Sequence, residues 1–253
     1  MTVGAAAILA ACSPNPQIVP GPGQYAQPGV PAAVEPLEGE VRLANIRMLT
    51  NGGENAEAYF SSDASQLIFQ ATRPGISSCD QIYTMNADGT DVQLVSTGEG
   101  ATTCAYFFPS GDRILYSSTH EHSPECPPRP DYSQGYVWPL HPFDIYTARP
   151  DGSDLRKIGS TPHYDAEATI SPDGSRIVVT RSSAESYIDA TTRGASEFVW
   201  FPAAGGSATF MTTTNGFSGP HFRSDTPERI YVHGRGRLAT MRWDGTDGRD
   251  VVC

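Results

Sequence analysis

The chain has 253 residues, with 28 Asp and Glu against 17 Lys and Arg, for a formal net charge of −11. No basic cluster offsets that excess, which argues against nucleic acid as a partner, since such binding rests on Lys and Arg neutralising phosphates. The length admits one or two domains.

Residues 1–12 read as a targeting segment and not as fold. Val3 to Ala11 is small and apolar, too short to span a bilayer as a helix. It ends in Leu9-Ala10-Ala11-Cys12, which looks like a lipobox, the bacterial signal for cleavage before a cysteine and its lipidation. A secretory signal normally begins with a basic stretch, and Met1-Thr2-Val3 has none. Residues 13–40 are rich in Pro, Gly, Gln and Ala with almost nothing to bury, the composition of an extended, disordered linker. Together they predict an exported, periplasmic lipoprotein held to a membrane through Cys12.

Residues 41–253 are organised by a repeated hairpin. Val41–Thr50 alternates apolar and polar residues as an outer strand would. The first hairpin follows as AEAYFSSDASQLIFQ from Ala56. Later copies are AYFFPSGDRILYSS from Ala105, DAEATISPDGSRIVVT from Asp165 and PHFRSDTPERIYVH from Pro220. In the Asp165 copy, Pro172 presets φ, Asp173 can bond the local backbone, Gly174 takes a positive φ, and Ile177 to Thr180 suit a pleated, buried surface. A second echo follows three copies: DQIYTMNADGTDVQLV from Asp80, DIYTARPDGSDLRKI from Asp144 and LATMRWDGTDGRDVV from Leu238. The third unit keeps strand character through FVWFPAAGGSATFMTTT without the DG turn. No segment reads as a helix. Self-similarity at about fifty residues with four short strands per unit predicts an all-β β-propeller of four-stranded blades, about four of them recognisable.

The SPDG turn at Ser171–Gly174, the DIYTARPDGS run at Asp144–Ser153 and MNADGT at Met85–Thr90 resemble PD40 repeats, the TolB-like, WD40-like bacterial propellers. The resemblance covers about Asn45 to Val252. It implies the fold and says little of function, because propellers host many unrelated activities. Relatives usually have six or more blades. Two arrangements therefore stay open: closure by an N-terminal strand paired with the last blade, or an arc belonging to a larger ring.

Connections between second and third strands share one face with the entry to the first strand. That face is expected to collect Glu57, Cys79, Cys104, an insertion from His120 to Pro142, and His163, Tyr164, Asp165 and Glu167. Within the insertion, His120 and His122 lie two apart, which on an extended segment points both imidazoles the same way. With His163 or Glu167 they would form a zinc or manganese set. Tyr136 and Trp138 are candidates for a peptide- or glycan-binding surface. Beyond Cys12, an oxidising compartment allows one bridge among Cys79, Cys104 and Cys126, with the pair undetermined. There is no Gly-x-Ser-x-Gly elbow, no His-Glu-x-x-His and no phosphate-cradling Gly-rich loop. The expectation is a binding module without cofactor that engages a protein or cell-envelope ligand through one loop face. The alternatives are an accessory or truncated propeller that gates or targets an amidohydrolase- or peptidase-type hydrolase, and a metal-dependent, polysaccharide lyase-like propeller enzyme.

Overall fold

The computed structural model describes residues 32–33, 39, 41–133, 138–159, 164–182, 187–188, 196–214, 217–222, 226–234 and 237–251. The signal segment with Cys12, most of the linker, Tyr136, His163 and Cys253 lie outside the described residues. Among those described there is no helix, and none long and apolar enough to cross a membrane.

Sixteen of the strands form four antiparallel sheets, each built from consecutive hairpins. Blade one is β3 (Glu54–Phe60), β4 (Gln66–Arg73), β5 (Ser77–Asn86) and β6 (Gln93–Leu94), after a ribbon of β1 (Ala32–Ala33) with β2 (Arg47–Met48). Blade two is β7 (Thr102–Phe107), β8 (Ile114–Ser118), β10 (Asp144–Ala148) and β11 (Arg156–Gly159). Its insertion, between the second and third strands as expected, carries β9 (Trp138–Pro139). Blade three is β12 (Tyr164–Ile170), β13 (Arg176–Ser182), β15 (Ser196–Pro202) and β16 (Thr209–Thr213). Here β14 (Tyr187–Ile188) lies between β13 and β15 and pairs with β9, so the insertions of neighbouring blades share a ribbon. Blade four is β17 (Phe217–Phe222), β18 (Arg229–Gly234), β19 (Arg237–Arg242) and β20 (Arg249–Asp250). Its outer strand comes from the local sequence, and the N-terminal β2 pairs with β1, not with blade four. The protein is an all-β propeller of four-stranded blades.

The turn chemistry read from the sequence is what closes the hairpins. Asp173 accepts hydrogen bonds from the Ser171 hydroxyl and from Ser175 N (3.0 Å), while Gly174 holds φ at +71°. Asp63 repeats the arrangement with Ser61 and Ser65. These bonds favour the ionised carboxyl and hold both aspartates down to about 2. A depressed carboxylate stabilises the fold above its unfolded pKa, near 4, and the contribution disappears as pH falls through the native value. Acid titration of the wild type followed by circular dichroism should therefore show stability falling between pH 4 and 2, with a shallower fall in Asp173→Asn. Equal slopes would mean the turn aspartates carry no linkage.

The blades are held by faces of alternating apolar residues. Ile68 and Ile82 of blade one meet Ala105, Ile114, Tyr116 and Tyr146 of blade two. Leu115 and Ile145 meet Ala168, Ile177 and Val179 of blade three. Val178 and Phe198 meet Ile230, Val232 and Ala239 of blade four. Full burial of each large side chain is worth roughly 1.5–3 kcal/mol. The innermost strands pack in sequence order, β3 on β7, β7 on β12 and β12 on β17.

Candidate functional site

Every innermost strand carries an irregularity at one place. Pairing with the second strand slips between Ala56 and Tyr59, Thr103 and Tyr106, Ala166 and Thr169, and Ser218 and His221. The residue just after the first of each pair has positive φ: Glu57 (+49°), Cys104 (+54°), Glu167 (+52°) and Gly219 (+58°). Only the last is a glycine, so three side chains are held in backbone that L-residues seldom adopt.

The bulges bring their side chains together across the centre of the blades. The Glu57 carboxyl is hydrogen-bonded to Cys104, and Glu167 Oε2 accepts from Gly219 N at 2.9 Å. Tyr59 and Tyr106 rings stand 4.2 Å apart, and Tyr106 meets His221 edge-on at 5.9 Å. Tyr106 belongs to blade two and His221 to blade four, so this contact skips a blade and spans the centre. Burial raises Glu57, as do the charges of Glu167 and Asp80. Burial also lifts the Cys104 thiol well above its ordinary value and lowers His221. His233 lies over Gly219, where an added Cβ would sit 2.5 Å from its Nε2.

Beside this cluster a cavity of about 370 Å³ opens between blades one and two under the blade-two insertion. The bridge Cys79–Cys126 joins the insertion to the start of β5 and leaves Cys104 as a buried free thiol. The cavity floor is a bonded set. Gln70 Nε2 donates to Asp80 Oδ2 (3.0 Å), the Thr72 hydroxyl donates to Asp80 Oδ1 (2.6 Å), and the Thr103 hydroxyl donates to Gln70 Oε1 (3.1 Å). Cys104 N also donates to Gln70 Oε1, at 3.2 Å, so one side chain separates cavity from central cluster. Tyr132, Phe143, His141 and the Pro127–Pro130 stretch form the walls. Arg129 reaches Glu54 at 2.9 Å across the mouth, an exposed pair worth at most about 1 kcal/mol.

Of the residues singled out by sequence, Glu57, Glu167 and Cys104 converge, and Cys79 and Cys126 border the cavity. His120 and His122 do not join them. Residues 119–123 form a tight turn, with His122 N and Ser123 N both donating to Thr119 O, and the extended geometry that would aim both imidazoles alike is absent. His120 Nδ1 pairs with the Ser118 hydroxyl (2.8 Å) and its ring lies on Tyr146. His122 Nε2 contacts Asp144 Oδ2 at 2.8 Å, beside Lys157. Burial works against the Lys157 charge, yet its bonds to Asp144 and Glu121 lift it overall. His163 lies outside the described residues, as do the side chains of Tyr136 and Trp138. Among the described residues no three His, Cys, Asp or Glu are placed to hold a metal ion.

Tyr164 and Asp165 have structural surroundings. Tyr164 is buried edge-on to Phe143, and Asp165 forms a two-point pair with Arg181, Oδ1 to Nε and Oδ2 to Nη2 at 2.8 Å each. Gln70, Asp80, Tyr59, Tyr106, His221 and His233 were not singled out by sequence. The signal existed: aligning the hairpins places Tyr59, Tyr106 and His221 two residues after the bulge in three of four copies.

No family model matches the chain, and no curated protein matches it. Solved structures do. TolB from Acinetobacter baumannii superposes with a TM-score of 0.56 at 20% identity, over 79% of this chain and 44% of that one. The nidogen–laminin complex gives 0.56 at 12% identity, over 78% and 64%. An oligogalacturonate lyase in complex with manganese gives 0.54 at 14% identity, over 76% and 50%. The likeness is one of fold, a TolB-like propeller, and the chain spans about half the length of these structures.

Proposed function

We propose that this propeller is a cell-envelope binding module, anchored by lipid at Cys12, that engages a protein or envelope ligand through its insertion-bearing face, and that it is not an enzyme. The observation that carries the reading is the cavity of about 370 Å³ beneath the blade-two insertion, with aromatic and proline walls over a polar floor. A long insertion on a rigid scaffold is where binding groups concentrate, and concave sites mixing apolar walls with few polar groups are the usual ligand sites. The likeness to TolB and to a nidogen–laminin complex supports a propeller that works through contacts with other proteins.

The test is photo-crosslinking in the native envelope from Tyr132, on the cavity wall, against Asp88, in the β5–β6 turn at the opposite face. A defined adduct from Tyr132 alone, lost when residues 127–139 are replaced by a Gly-Ser linker, is the expected result. Equal adducts from both positions, or none from Tyr132, would overturn the assignment of the face. Loss of alkynyl fatty-acid labelling in Cys12→Ala is the matching result for the anchor, and retained labelling would remove it.

A further inference from the structure

The central cluster carries an inference that the cavity does not. Glu57 and Glu167 stand on bulges of alternate blades, near enough for the Glu167 charge to act on Glu57, and neither is paired with a Lys or Arg among the described residues. Each ion pair found there lies elsewhere, as in Arg113–Asp154, Lys157–Asp144 and Arg229–Asp247. Burial and the neighbouring like charge disfavour ionisation of Glu57 with no counter-ion beside it, and a carboxylate held so in a cluster is a candidate ligand site. Around them stand the faces and edges of Tyr59, Tyr106 and His221. Aromatic rings beside carboxylates are the surroundings that attract an organic cation. A metal ion is the poorer occupant, since no three ligating side chains are suitably placed among the described residues.

We propose that this centre binds one primary ammonium group, of the kind a lysine side chain of a partner protein presents. The geometry separates ammonium from guanidinium. A guanidinium fork matches the two oxygens of a single carboxylate, whereas the acceptors here are divided between two carboxylates on separate blades, Glu57 beside Cys104 and Glu167 beside Gly219 N. A compact ammonium with three donors can instead reach an acceptor on each of the two carboxylates and turn a C–H-rich stem to the tyrosines. The groups facing Glu57 are Cys104, Glu167 and Asp80, with Tyr59 alongside; those facing Glu167 include Gly219 N and His221. The site adjoins the cavity through Gln70 but does not require that the cavity be filled.

The experiment is calorimetry and NMR titration of the full chain with N-acetyl-lysine amide, and with N-acetyl-norleucine amide, which keeps the stem and lacks the charge. The lysine analogue is expected to bind at least tenfold more tightly. That preference should vanish in Glu57→Gln/Glu167→Gln, which is nearly isosteric and whose folding is checked by its melting transition. Because the Glu57 pKa is raised, binding should weaken as pH falls through it, earlier than for an ordinary glutamate. Tyr132→Ala, on the cavity wall, should leave the lysine analogue unaffected while it tests the cavity separately. Equal binding of the two analogues, or a preference surviving in the double variant, would overturn the proposal. So would carboxyl resonances that titrate as a proton-sharing pair unaltered by the lysine analogue.

Discussion

Replacing Asp165 by alanine is expected to cost about 3–5 kcal/mol, the range for removing one partner of a buried ion pair. The Asp165 carboxylate is fully buried, and Arg181 is 15% exposed by side chain. The two-point contact fixes β12 against β13 at the loop-face end of blade three, where Asp165 N also donates to Phe143 O of blade two at 3.1 Å. Without the carboxylate, the guanidinium stays in a site from which water is largely excluded, against the Phe201 ring. The loss should show in urea melts as a lower midpoint with an unchanged slope. Asp165→Ala/Arg181→Met, which removes both charges, should recover much of the loss, because neither member of the pair is then left buried as a charge without the other. A single variant within 1 kcal/mol of wild type would show that water reaches the pair.

Breaking the Cys79–Cys126 bridge has the second large expected effect. The residues are 47 apart in sequence, and closing a loop of that size in the unfolded chain is worth roughly 2–4 kcal/mol. Cys126→Ser should lower stability by that amount, and the unfolded chain, released from its cross-link, should expose more surface and raise the denaturant slope. Reduction of the wild type should reproduce both changes. Cys104 should stay unreactive to thiol reagents in the folded protein throughout, since it is buried and its thiolate disfavoured. A Cys126→Ser variant as stable as wild type would show the insertion to be held by contacts other than the bridge.

Much of the fold was legible in the residues because it is local. Ser-x-Asp-x-Ser turns, alternating apolar strands and repeated Asp-Gly corners each act over a few positions, and the hairpins at Ala56, Ala105 and Asp165 open from them. The insertion was placed between the right strands for the same reason. The site was less legible. His120 and His122 looked alike because their spacing suggests one face of an extended segment, but a turn at Thr119 gives them separate partners. Asp165 looked like a rim acid, and its role is decided by Arg181, sixteen residues on, which reaches it only through strand pairing. Glu57, Cys104 and Glu167 have in common a bulge. Its backbone conformation has no distinctive residue type except at Gly219, so only alignment of the copies reveals that Glu, Cys, Glu and Gly occupy one structural position.

The ribbon between β9 and β14, together with the Cys79–Cys126 bridge, changes how the blades depend on one another. In an array held only by neighbouring interfaces, stability is a sum of unit and interface terms, and units can open singly from an end. Here a covalent link spans blades one and two, and a hydrogen-bonded link spans two and three, both on the loop face. Opening any of those three must therefore also disturb its neighbour's insertion. The cost of fraying is shared, and the first three blades act as one cooperative unit. The surface that carries the cavity also keeps its own supports in register.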